Sequence, residues 1–301
     1  MKAKGKDEDS TTANALLVGD QIMNPSLPQC CNPAAFKLLA KQSQAINSQR
    51  ALLLGSVAIA MHQMDDVSPA VVEAKLNQYA DTIRSRVQGS QPQAMLAHLH
   101  EFLFEEEGFA GNVDDYYNPA NSYLPAVLDT KRGLPITLSL VYKCVADRLG
   151  LRTWGIGLPG HFLIAVQMDD ADPMLIDPFA GGRLLTVDEA HQRMKDLLGE
   201  EAEWSDELLQ PASNRHWLTR MLQNLLHVFG TSSQYSDMAA VLEMEMLLWP
   251  GQGHLQRDLA LVLARIGMSR PASIWLNEYL KNNPDDPQKT DLKQLLEVLS
   301  A

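Results

Sequence analysis

Apolar positions recur at helical spacing through the first third of the chain and then change rhythm. Stretches at residues 33–45 and 49–64 carry the three-to-four-residue period of amphipathic helices. Ser68-Pro69 sets a capping residue before a proline at the first helical position, which predicts a helix to about residue 87. A fourth helix is predicted over 92–107, with Leu96, Leu99, Leu103 and Phe104 on one stripe. Over 108–117 the rhythm gives way to Gly108, Gly111, Asn112, Asp114 and Asp115, a loop, and 118–131 predicts a short helix. Gly133-Leu134-Pro135 then places proline where its missing N–H is harmless, at the start of a helix over 136–149. Ile136, Leu140, Val141, Cys144, Val145 and Leu149 make that helix broadly apolar, which predicts a central position. β-Branched and aromatic residues follow in a strand-like run at 154–166, which contains Gly160-His161-Phe162. They return around Leu175-Ile176, across a turn at 168–173 suited to a hairpin.

Helical rhythm resumes at 188–198, and 200–206 is a charged linker. Pro250 and Pro284 stand 34 residues apart, each closing a helix, over 236–248 and 271–282. Superposed at that period, Leu225 falls on Leu259, Leu242 on Leu276 and Met246 on Leu280. Ala260 and Ala272 are small enough for helices to cross closely. A 34-residue helix–turn–helix period is the tetratricopeptide signature, and a last helix over 288–299 would cap the stack. The patterning predicts a mostly helical α+β protein in four parts. These are a flexible tail at 1–31, a helical region at 32–107, a mixed core with a small antiparallel sheet at 108–199, and a tetratricopeptide-like helical domain at 212–301.

Composition narrows the function classes. At 301 residues, 46% hydrophobic and 21% charged, the chain reads as a soluble globular protein with room for two modest domains. A formal net charge of −12 argues against nucleic-acid or anionic-membrane binding, which reward clustered Lys and Arg. The positive charges within residues 1–9 have no apolar segment behind them, so no secretory signal is expected. The longest apolar run, 51–61, is broken by Gly55 and Ser56 and is too short to span a bilayer. Cys30, Cys31 and Cys144 make no disulfide framework, and reduced thiols point to the cytoplasm. No cofactor signal is present, and His98 and His100, two apart on a helix, cannot share a metal.

The candidate chemistry lies between residues 117 and 182. A cysteine acyl-transfer site sets a thiolate at a helix N-terminus, stabilised by the helix dipole and an imidazolium, with a carboxylate holding the imidazole in its working tautomer. His161 follows Pro159-Gly160, where backbone can approach closely, and Asp177 precedes Pro178. If the hairpin turns over five residues, Gln167 faces Pro173 and Leu163 faces Asp177. His161 and Asp177 then share a face as diagonal neighbours about 7–8 Å apart. Lys131-Arg132 could bind an anion, though a solvated pair is the plainer reading.

The chain resembles the transglutaminase-like superfamily, and within it the bacterial SirB-type branch, which couples such a core to tetratricopeptide-like helices. The residues that carry this are Asn121-Ser122-Tyr123-Leu124-Pro125, Arg132-Gly133-Leu134-Pro135-Ile136-Thr137-Leu138-Ser139, Leu158-Pro159-Gly160-His161-Phe162 and Ile176-Asp177-Pro178-Phe179-Ala180-Gly181-Gly182. The resemblance implies a papain-like core in which His161 and Asp177 match the family's His and Asp. Active members look like Gly-x-Cys at the helix start, one helix length before the glycine that ends it. Counting back from Gly150 lands on Pro135, so proline stands where the nucleophile would be. Cys144 is nine positions further on, about half a turn out of phase, and cannot stand in. Thr137 and Ser139 are hydroxyls near that position, whose ordinary role would be to bond the local backbone.

Three readings follow. The first is a non-catalytic protein whose groove, lined by Asn121, His161, Asp177 and Trp154 with Arg132, Gly160, Thr137 and Ser139 around it, holds a peptide or protein partner. The second is a hydrolase or acyl transferase in which His161 and Asp177 activate a hydroxyl or water. The third makes His161 and Asp177 a buried pair that only fixes the hairpin.

Overall fold

The computed structural model describes residues 27–300, apart from 88, 90 and 169–171. The tail expected at 1–31 lies outside the described residues as far as 26, and so does the middle of the turn expected at 168–173. The first helices are α1 (Pro33–Gln44), α2 (Gln49–Ala60), α3 (Pro69–Arg84) and α4 (Pro92–His100). Asn32 accepts from the N–H groups of Ala34 and Ala35, and Ser48 from that of Ala51, filling needs that every helix start creates. Ser68 stands at the cap position of α3 without such a bond, so Pro69 alone marks the start. The helix expected over 92–107 is α-helical only to His100, and Glu101–Glu106 continue it as a π-helix.

A 3-10 turn at Pro119–Ser122 leads into α5 (Leu124–Thr130). The short strands β1 (Ala110–Gly111) and β2 (Arg132–Gly133) pair in parallel and bring the loop after the π-helix beside the start of α6 (Pro135–Arg148). Over 135–146 every residue of α6 but Lys143 is buried, as its all-round apolar pattern requires.

The sheet is antiparallel throughout, in the order β3 (Arg152–Ile156), β4 (Leu163–Gln167), β5 (Met174–Asp177), β6 (Arg183–Leu185). The strand-like run at 154–166 is therefore two paired strands, and His161 lies in the loop between them. Pro159, which cannot donate to a ladder, and Gly160 at φ +72° turn the chain there. The register of β4 and β5 sets Ile164 opposite Ile176, the register expected from a five-residue turn. β6 is an addition with no signal in the patterning. Side chains alternate between faces: Ile164, Val166 and Ile176 join the main core with α6. Leu163, Ala165, Leu175 and Leu185 form a second cluster with Ala190 of α7 (Val187–Leu198).

The remaining helices are α8 (Asn214–Thr231), α9 (Tyr235–Leu248), α10 (Gly253–Arg265), α11 (Ser269–Asn282) and α12 (Lys289–Ser300). Tyr235 and Ser269 stand 34 positions apart, as do Leu248 and Asn282. The backbone repeats with them. Ser233 and Gly267 take φ +57° and +80°, and Trp249 and Asn283 both take φ −127° before Pro250 and Pro284. The main core runs from α1 through α6 into Trp217, Leu222, Phe229 and Met244 of α8 and α9; Ala239 and Leu242 of α9 join α10 and α11 in a further cluster, and α10–α12 form another. Among the described residues no helix is long and apolar enough to cross a membrane.

Candidate functional site

Asp177 ends β5 and begins a 3-10 turn, and it is fully buried. Its Oδ1 accepts from the N–H groups of Phe179 (3.0 Å) and Ala180 (3.2 Å), the ordinary work of a capping aspartate. Its Oδ2 lies 2.9 Å from Nε2 of His161 and is paired as well with the guanidinium of Arg193. Arg193 arrives on α7, whose start is fixed by a capping box. Thr186 Oγ accepts from the N–H of Glu189, and Glu189 accepts from the N–H of Thr186. The loop carrying His161 is fastened from the other side, where Nη2 of Arg220 on α8 donates to the carbonyls of Leu158 (2.6 Å) and His161 (2.8 Å).

These surroundings set the state of the imidazole. His161 is buried, and burial pushes its pKa down from the ordinary range to about 4, with Arg193 and Arg220 pushing the same way. At neutral pH the ring is uncharged. Nε2–H donates to Asp177, so Nδ1 is the basic nitrogen. In a working triad the carboxylate stabilises the imidazolium as it forms. Here Asp177 already neutralises Arg193, so little of its charge remains for that purpose, and His161 is a weak base.

The other residues expected at the site are differently engaged. Asn121 is buried and spends its amide on its own loop: Nδ2 donates to the carbonyls of Asp115 (2.7 Å) and Tyr116 (3.1 Å), and Oδ1 accepts from Asn112. Arg132 is exposed and donates to the carbonyls of Gly108 and Lys131. Lys131 is not a solvated partner to it, since its ammonium pairs with Glu107 and the Tyr79 hydroxyl. Trp154 packs on the second cluster, on the α7 side of the sheet, with its indole N–H buried and unpartnered. A Cβ on Gly160 would meet Leu197 and Leu198 of α7 at ordinary contact distance. Pro135 is the first residue of α6 and is buried. The hydroxyls of Thr137 and Ser139 are buried without hydrogen-bond partners, so the expectation that they bond the local backbone does not hold. Cys144 is buried on α6 with its thiol pushed up to about 12 by burial.

A row of rings leads outward from the pair. Phe179 meets His161 edge-on at 6.0 Å, Tyr116 meets Phe179 at 6.1 Å, Tyr117 meets Tyr116 at 5.4 Å, and His227 of α8 lies 5.8 Å from Tyr117. Tyr117 is 63% exposed and Val113 on the same loop 71%. Sequence reasoning finds neither this row nor Arg193 and Arg220. The capping box Thr186-Val187-Asp188-Glu189 is the one local signal that could fix where α7 begins.

Comparison with known proteins gives a consistent result. A sequence model of the transglutaminase-like superfamily matches residues 70–223, from α3 into α8. The chain is 32% identical over 237 residues to a UPF0162 protein of Xylella fastidiosa, covering 77% of this chain and 84% of that one. It is 29% identical over 198 residues to a UPF0162 protein of Pseudomonas aeruginosa, covering 66% and 71% of the two chains. The F-box only protein 21 of Homo sapiens is 30% identical over 171 residues, covering 54% of this chain and 26% of that protein. No solved structure matches.

Proposed function

The chain belongs to the transglutaminase-like superfamily, and on that premise we propose that it is a non-catalytic protein- or peptide-binding protein. The observation that carries this reading is Arg193, whose guanidinium shares with His161 the carboxylate that an acyl-transfer triad would reserve for the imidazolium. Pro135 at the start of α6 supports it, because no thiol stands at that helix N-terminus and Cys144 is buried with a raised pKa. The exposed aromatic loop at Tyr116 and Tyr117 offers apolar surface that reaches the pair through Phe179. The 34-residue helical hairpins offer a second, tetratricopeptide-like surface, and free thiols at Cys30, Cys31 and Cys144 suit a reducing cytoplasm.

A hydrolase or acyl transferase remains the second reading, favoured by the buried, unpartnered hydroxyls of Thr137 and Ser139 near the expected nucleophile position. One experiment separates the two. Purified protein and its His161→Gln variant are offered an aryl ester, and separately a glutamine-bearing protein with a fluorescent primary amine. Both are also used for affinity capture with mass spectrometry. A stoichiometric partner with no ester cleavage and no amine incorporation is the expected result. Turnover by the wild type that disappears in His161→Gln would make the protein an enzyme.

A further inference from the structure

Folding brings two sulfurs together across 238 residues of chain: the Cys30 thiol donates to Sδ of Met268 at 4.0 Å. Both backbones are fixed. Buried Glu243 of α9 accepts the N–H groups of Gln29, Cys30 and Cys31 at 2.6, 3.1 and 2.8 Å. Met268 lies in the turn between α10 and α11, where its N–H donates to Leu263 and its carbonyl accepts from Ala272. Cys30 and Met268 are half-buried, so solvent reaches the pair, and both pack on the apolar cluster that contains Leu242, Leu259 and Ala272.

Geometry and charge say what would bridge such a pair. With sulfur–metal bonds of about 2.3 Å, two sulfurs 4.0 Å apart subtend about 120° at a shared ion, the angle of three-coordination. A third sulfur, that of Cys31, belongs to the next residue in the chain. Glu243 holds this segment by its backbone and forms no ion pair among the described residues, so a cation at the sulfurs would have a carboxylate beside it. The metal-free thiol of Cys30 is pushed up to about 11, by burial first and then by Glu243 and Asp237, and a coordinated cation inverts that effect. Among the described residues no group of three His, Cys, Asp or Glu could hold a metal, so the four-ligand shell of a structural zinc is not on offer. Thiolate and thioether at a low coordination number suit a soft monovalent ion.

We propose that Cys30, Cys31 and Met268 form a binding site for a soft monovalent metal ion of the copper(I) class. Each thiol that coordinates gives up its proton to solvent. The site shares no residue with the His161–Asp177 pair and stands or falls apart from the reading above.

The test adds copper(I) to the full chain in the absence of oxygen, in competition with a chromogenic copper(I) chelator. One ion per chain is expected. Cys30→Ser should abolish that binding. Met268→Leu, which conserves volume, should weaken it about tenfold or more, since even outer-shell partners count for that much. X-ray absorption at the copper edge, on protein made with selenomethionine, reads the ligands directly. Two sulfurs and one selenium should surround copper in the wild type, and the selenium should vanish in Met268→Leu. A wild-type shell without selenium overturns the proposal and needs no variant to be folded. Failure to bind one ion per chain also overturns it, as does a selenium neighbour or an affinity that survives Met268→Leu unchanged.

Discussion

Asp177 satisfies four donors with two oxygens: the N–H groups of Phe179 and Ala180, the imidazole of His161 and the guanidinium of Arg193. The last of these adds to burial in limiting what His161 can do. In Arg193→Met, Oδ2 is left to the imidazole and a nearby positive charge disappears, so the His161 pKa should rise. The rise should be partial, because burial is the larger cause of the depression and remains in place. Titration of the ring resonances by NMR measures it, and an unchanged value would show that burial alone sets the proton affinity. The depression also has a stability consequence. A His161 pKa of about 4 in the folded chain lies below the ordinary 6.5, so between those values the unfolded chain binds more protons. The stability linked to the neutral ring is therefore present above about pH 6.5 and is lost as pH falls through about 4. It amounts to about 3 kcal/mol at most. Denaturant midpoints should drop across that window in the wild type and drop less in His161→Gln, which has no proton to gain.

At the scale of elements, the helices are legible in the sequence and the contacts between them are not. Pro69, Pro92 and Pro135 each mark a first helical position, and the all-apolar surface of α6 announces its central place. The β4–β5 register is legible as well, since the pleat and a five-residue turn fix which residues oppose. The loop at 157–162 is hidden, because β-branched and aromatic residues continue on either side of Pro159-Gly160. Arg193 and Arg220 are hidden for a deeper reason. An arginine on an amphipathic helix has the same local pattern whether it meets water or a carboxylate that folding brings from far along the chain. Close helix crossings are equally silent until α2 and α8 meet. A Cβ on Gly55 would lie 2.5 Å from Cδ1 of Leu218, so Gly55→Val overfills that crossing. It should lower stability by about 1–3 kcal/mol. Adding Leu218→Ala should recover part of the loss, and a double-mutant cycle in denaturant reads the coupling. Additive effects would mean that the helices separate freely to make room.

At the scale of the whole molecule, packing is graded from the centre toward the C-terminal end. α6 lies inside the core that joins α1 to α9, whereas Leu292 is the one buried residue of α12 among the described residues. The segment that precedes α1 is held by Glu243 on α9. This buried carboxylate accepts the N–H groups of Gln29 (2.6 Å), Cys30 (3.1 Å) and Cys31 (2.8 Å). Local opening follows the density of buried contacts. Amide exchange should therefore be slowest in α6, where only global unfolding exposes the backbone, and fastest among the helices in α12. Glu243→Gln tests how far the clamp reaches. The amide retains one acceptor oxygen and turns a donor toward backbone donors, at a cost of about 1–3 kcal/mol. Exchange at Gln29, Cys30 and Cys31 should accelerate strongly and α9 should follow, because its buried acceptor loses its partners. α12 should be much less affected, since its buried Leu292 packs with α10 and α11 in a cluster that includes no residue of α9. If protection falls in α12 by the same factor, the last helices open together with the main core, and the molecule has one cooperative unit in place of a gradient.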